Sequence, residues 1–206
     1  MTDSHHRELV LASQSPRRRE LLEQLGIPFR VVPPDDSAEC GICSGENPAQ
    51  FAARMAFQKA RNVAQKVGRG LILGCDTVVE CKGQLVGKPR DMDHAREILH
   101  LLRGTEHRVF TGVCLWDYPD WSPDIRVACT RLMMDFIPDD AIEQYLRTGL
   151  WEGKAGAFGY QDRLGWLKIL EGSESNVVGL PLELLQEMLA AVEETEKQRS
   201  PGAPDN

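Results

Sequence analysis

The sequence predicts an α/β fold on three observations. Short apolar, β-branched runs alternate with segments whose apolar residues recur at helical spacing, the helical segments carry caps and stops at their ends, and no internal repeat runs through the 206 residues. With 42% hydrophobic and 27% charged residues the chain falls in the globular class, and 18 Gly with 12 Pro leaves its bulk outside the disordered and collagen-like classes.

The elements follow in order. Leu9 to Leu11 reads as a strand, and Ser15 as an N-cap with Pro16 behind it opens a helix that Gly26 stops. Phe29 to Val32 resumes a strand, and Asp35 to Asn47 reads as an irregular loop. Asn47-Pro48 then opens a helix to about Val67, with Phe51, Ala52, Met55, Ala56, Ala60, Val63 and Val67 as its stripe and Lys59 leaning over the stripe's edge. Leu71 to Glu80 reads as a strand interrupted at Gly74-Cys75-Asp76-Thr77, and Lys82-Gly83 turns it into Gln84 to Val86. A helix capped near Asp91 and stopped at Gly104 leads to strands over His107 to Trp116 and Ile125 to Phe136. A helix over Asp139 to Thr148, a glycine-rich stretch from Gly149 to Gly165, a strand over Trp166 to Leu170 and a closing helix from Leu180 to about Glu194 complete the chain. A single domain over 9–194 is expected, with flexible termini at 1–8 and 195–206.

Charge bounds the partners. Lys and Arg number 24 against 31 Asp and Glu, a net charge of −7, which argues against non-specific nucleic-acid or anionic-membrane binding. Any polyanion must be held by a local basic cluster. No apolar run approaches the roughly 20 residues that span a bilayer, and a soluble, cytoplasmic protein is expected. The six cysteines read as reduced thiols, and Cys40-Gly-Ile-Cys43, without a second pair, reads as an incidental surface pair. His94, His100 and His107 lack metal-site spacing and are expected on helix or strand surfaces.

Three groups could carry chemistry. Ser13-Gln-Ser-Pro-Arg-Arg18 gathers hydroxyls, guanidiniums and the amides of a helix start, the donors and positive charge that a phosphate chain needs. Asp76 sits between apolar residues, where an ionised carboxylate needs a cation, hydrogen bonds or a role as a base. Lys59 and Lys88, with Arg17, Arg18 and Asp76, make four cations and one carboxylate from separate segments, a set suited to an anion site with a metal or water activator.

Leu11-Ala-Ser-Gln-Ser-Pro-Arg-Arg-Arg-Glu-Leu-Leu22, Gly74-Cys-Asp-Thr-Val78, Gly87-Lys-Pro89, Thr111-Gly112, Lys154-Ala-Gly-Ala-Phe-Gly-Tyr-Gln161 and Asn176-Val-Val-Gly-Leu-Pro181 resemble, in order, the motifs of the Maf family of nucleoside triphosphate pyrophosphatases. The match covers about Leu9 to Glu187. The resemblance implies hydrolysis of a nucleoside triphosphate to monophosphate and pyrophosphate, a house-cleaning activity with a divalent metal, Mg²⁺, Mn²⁺ or Co²⁺. It also implies an elongated, two-lobed mixed sheet flanked by helices, like inosine triphosphate pyrophosphatases, with the active site in the inter-lobe cleft, and a homodimer.

By position, Asp76 matches the family's proton acceptor, and Ser13, Arg17, Arg18, Lys59 and Lys88 match polar residues of the cleft. Whether Asp76 serves as base or as metal ligand stays open. Arg17, Thr77 and Gln161 match positions tied to substrate choice, and their combination resembles the subfamily acting on dTTP and UTP rather than the one acting on 7-methyl-GTP. In Pro34-Asp-Asp-Ser-Ala-Glu39, Ala38 falls where the family carries a Glu; Glu39, one residue on, is then the second metal-side carboxylate, with Asp35 and Asp36 as alternatives. Two rivals are a nucleotide-binding regulator of cell division without turnover and a thiol or metal protein built on Cys40 and Cys43.

Overall fold

A computed structural model describes residues 8–38, 41 and 43–199. Seven strands form one mixed sheet: β1 Leu9–Ala12, β2 Phe29–Val31, β3 Gly70–Cys81, β4 Gln84–Val86, β5 Glu106–Tyr118, β6 Asp124–Met134 and β7 Leu167–Glu171. The order is β2-β1-β3-β5-β6-β7, with β4 hydrogen-bonded to β3 off this path. β1 runs parallel to β2 and β3, and the other pairs are antiparallel. The helices are α1 Pro16–Gln24, α2 Pro48–Val67, α3 Met92–Leu102, α4 Asp139–Arg147, α5 Glu174–Val178 and α6 Leu182–Arg199.

The side-chain period of two along the first strands sorts their residues to two faces. Val10, Ala12 and Ile72 pack against Ala56, Ala60, Val63 and Ala64 of α2. Leu9, Leu11, Leu73 and Cys75 pack the other way, against Leu21 and Leu22 of α1 and Leu185 and Met188 of α6. A third core forms at the far ends of the long strands, where Val79, Cys81, Val109, Leu132 and Met134 meet α3 and α4. β3 and β5 therefore serve two lobes, with Leu73, Cys75 and Val113 in one core and Val79 and Val109 in the other. Asp76 and Thr77 occupy the stretch of β3 between them.

Most expected elements form, and the differences have physical reasons. β3 is continuous through Gly74–Thr77. Gly74 is there for contact rather than for a turn: a Cβ on it would stand 2.3 Å from the Ala56 carbonyl oxygen and 2.9 Å from the Ala60 Cβ. Gly112 does the same on β5, where a Cβ would stand 2.2 Å from the Ala52 carbonyl oxygen. The two glycines let α2 lie directly on the sheet. The loop after β2 contains a short 3₁₀ turn, Asp36–Ala38. α5 has five residues, too few for apolar periodicity to register, and only the Ser173 cap, which accepts from the Asn176 amide, marks its start. α6 continues past Glu194 to Arg199 because Glu, Lys and Gln sustain a helix without apolar contacts.

Candidate active site

The close approach of α2 decides the first pair. Gly112 is the register partner of Asp76, so the helix passes directly over that carboxylate and its Lys59 turns inward. Lys59 Nζ lies 2.7 Å from Asp76 Oδ1, and the two side chains are 6% and 14% exposed. Lys59 is thus part of the buried face rather than its rim. A lone carboxylate here would be costly, and the ammonium offsets that cost. Asp76 borders the cleft, and no second partner is seen for it among the described residues.

Arg18 is the second anchor. Ser15 caps α1 and Pro16 starts it, so the helix begins at the carboxyl end of β1 and points its first turn at β3. From there Arg18 Nε donates to the Gly179 carbonyl at 2.7 Å, Nη1 to Ser13 Oγ at 3.2 Å and Nη2 to Thr77 Oγ1 at 3.1 Å. Thr77 Oγ1 is 3.0 Å from Thr111 Oγ1, which is hydrogen-bonded to the Asn176 carbonyl at 3.2 Å. Asn176 Nδ2 in turn donates to Thr130 Oγ1 and the Val109 carbonyl. This chain of hydroxyls and amides fixes the guanidinium beneath α5, and its Thr130 lies outside the motifs visible in the sequence.

Between the lobes lies a cleft of about 470 Å³ bordered by Ser13, Arg17, Arg18, Lys59, Asp76, Thr77, Lys88 and Gln161. Residues drawn from five separate segments therefore share one space. Lys88 is exposed on the loop after β4, and Gln161 is exposed on the glycine-rich segment. Arg17 diverges from Arg18: its Nη2 donates to the Gly153 carbonyl at 3.0 Å, and burial together with the Arg18 charge lowers its pKa from the ordinary value. Much of the apolar lining, Val79, Leu102, Val109, Leu132, Met134 and Phe158, belongs to the third core. The site can therefore hold a polyanion on one kind of wall and an apolar ring on another.

The chain agrees with the model of Maf-like proteins over residues 8–192. It belongs to the Maf-like family. Among curated relatives, the dTTP/UTP pyrophosphatase of Rhodopirellula baltica is 50% identical over 187 residues, covering 90% of this chain and 82% of that protein. The dTTP/UTP pyrophosphatase of Ruminiclostridium cellulolyticum is 42% identical over 190 residues, covering 91% and 97%. A solved HAM1 protein from Coxiella burnetii superposes with a TM-score of 0.50 at 16% identity, over 89% of this chain and 98% of that one. That likeness concerns the fold alone, and it agrees with the two-lobed mixed sheet expected of the family.

Several expectations for this Maf-like chain change. Ala38 is 6% exposed and apolar, so it offers a metal nothing. Glu39 and Cys40 lie outside the described residues; Cys43 is exposed and free. Asp35 borders the cleft but is already engaged, its carboxylate taking Lys66 Nζ at 2.8 Å and Asn62 Nδ2 at 3.1 Å, while Asp36 borders it and is exposed. His107 is not on a surface: it is 4% exposed, borders the cleft and lies with Nδ1 3.2 Å from the Thr105 carbonyl. Burial lowers its pKa from 6.5, which favours the neutral ring with the proton on Nδ1. Its alternation with Val109 and Thr111 along β5 was the available signal. No helix among the described residues is long and apolar enough to cross a membrane.

Proposed function

We propose that this Maf-like protein hydrolyses the α–β phosphoanhydride of pyrimidine nucleoside triphosphates, dTTP and UTP foremost, to the monophosphate and pyrophosphate. The observation that carries the reading is that the buried Lys59–Asp76 pair and the Arg18–Thr77 hydrogen bond border one cleft where the two cores meet, beside an apolar wall. The relatives named dTTP/UTP pyrophosphatase support the substrate class.

In this reading Ser13, Arg17, Arg18 and Lys88 bind the triphosphate, and Arg18 and Lys88 stabilise the charge that develops as the anhydride breaks. Asp76 orients the attacking water and takes its proton, while Lys59 holds Oδ1 and so the direction of Oδ2. Thr77 holds Arg18 in register, and Gln161 meets the base with an amide that both donates and accepts.

Among the described residues no three His, Cys, Asp or Glu side chains cluster as a ready-made metal cage. An Mg²⁺ or Mn²⁺ held by one or two carboxylates and substrate phosphates needs no such cage, and Asp76 with Asp36 at the cleft fits that donor chemistry. Bound there, the ion would neutralise charge on the phosphate oxygens.

The test is a pyrophosphate-release screen over UTP, dTTP, CTP, ATP, GTP and 7-methyl-GTP with Mg²⁺, Mn²⁺ and Co²⁺. Highest kcat/KM for dTTP and UTP is expected. A preference for 7-methyl-GTP overturns the substrate class, and nucleotide binding without release of pyrophosphate favours the regulator instead.

A further inference from the structure

The glycine-rich segment after α4 holds a buried charge cluster that the reaction above does not use. Lys154 Nζ lies 2.5 Å and 2.7 Å from the two Asp162 oxygens, and the side chains are 9% and 6% exposed. Asp162 Oδ2 also accepts from Tyr145 Oη at 2.9 Å and from the Gly159 amide at 3.2 Å. Charges withdrawn from water persist only where each finds partners, and this carboxylate is met by an ammonium, a phenol and a main-chain amide. The pair closes residues 154–162 into a ring.

Inside that ring there is no free space beside Gly159. A Cβ there would stand 2.6 Å from Gln161 Nε2 and 2.8 Å from Lys154 Nζ. The Gln161 amide thus lies back against the main chain of the ring, although the residue is exposed at the cleft. Tyr145 is packed in turn against Phe158 and Trp166, with ring centroids 5.2 Å and 5.4 Å away. The next residue after Gln161 is the carboxylate that ties all of this together.

A glutamine free to turn over offers its oxygen or its nitrogen to any base, whereas a held one offers a single pattern. Uracil and thymine present an O4 acceptor and an N3–H donor; cytosine presents an N4 donor and an N3 acceptor. We propose that Asp162, with Lys154 and Tyr145, is a positioning residue that holds the Gln161 amide in the one orientation that suits uracil and thymine. The inference rests on the pyrimidine reading above.

The test compares wild type, Asp162→Asn and Tyr145→Phe in kcat/KM for UTP and CTP, and in inhibition by UMP and by inorganic pyrophosphate. The preference for UTP over CTP is expected to fall about tenfold in Asp162→Asn, the worth of one hydrogen bond, and less in Tyr145→Phe. UMP should inhibit more weakly by a similar factor while inhibition by pyrophosphate stays unchanged. An unchanged UTP preference in folded variants overturns the inference, as does an equal loss of UMP and pyrophosphate inhibition. Should Asp162→Asn not fold, Tyr145→Phe decides alone. A wild-type enzyme without preference for UTP over CTP overturns the pyrimidine reading itself, and is seen before any variant is compared.

Discussion

Replacing Asp76 by Asn separates what the carboxylate does for the fold from what it does for turnover. Lys59 and Asp76 are 6% and 14% exposed, so the variant leaves an ammonium buried opposite a neutral amide. Removing one partner of a buried pair costs about 3–5 kcal/mol, and the Asn oxygen still accepts from Lys59, which places this case near 3 kcal/mol. For a chain of this size that corresponds to a melting midpoint lower by roughly 6–12 °C. Loss of a general base costs about 10²- to 10⁴-fold in kcat. Lys59→Met/Asp76→Asn, which removes both charges, should recover much of the midpoint and none of the turnover. Thermal melting and pyrophosphate release, measured on the same preparations, check both halves. Near wild-type kcat in Asp76→Asn would refute the assignment, and so would a double variant that regains activity.

Arg18→Lys and Lys88→Ala should each lower kcat/KM for UTP by about 10²-fold or more, since an ammonium cannot reproduce the fork by which Arg18 reaches Gly179, Ser13 and Thr77 and the loss of Lys88 removes a cation from the cleft; steady-state kinetics at moderate salt check this. Gly112→Ala should lower stability by about 3 kcal/mol, because the new methyl meets the Ala52 backbone rather than a side chain that can move; urea unfolding measures it. His107, with its pKa lowered by burial, takes up its proton at a lower pH in the folded chain than in the unfolded chain, which does so near pH 6.5. Stability from this group is therefore complete above that pH and erodes as pH falls. His107→Gln should flatten the decline in melting midpoint as pH falls below about 6.5, and an unchanged slope would count against it.

Asp76 was legible because a carboxylate among β-branched residues is conspicuous in one dimension, and the chain had to supply its counterion. Which cation it takes was not legible. Lys59 stands at the border of a helical stripe, and only the absence of side chains at Gly74 and Gly112 brings that border over β3. Arg17 and Arg18 read as equivalents, yet 100° of helix turn sends one to Gly153 and the other to Thr77 and Gly179. His107 is legible only through its alternation with Val109 and Thr111, because a histidine itself carries no hydropathy signal that distinguishes a buried neutral ring from a solvated one. The hydroxyl chain through Thr111, Thr130 and Asn176 depends on strand register, which spacing along the chain does not contain.

The two lobes are not joined by a linker. β3 and β5 are paired without a break from Gly70 opposite Tyr118 to Glu80 opposite Arg108, so the seam between the cores is itself a rigid ladder of backbone hydrogen bonds. A hinge that absorbs large backbone rotations has no place to act along this seam. The spacing of Asp76 and Thr77 is therefore set by the sheet, whatever the ligand. The sheet works as a ruler, and the reach from phosphate to base is measured from a mark that does not shift.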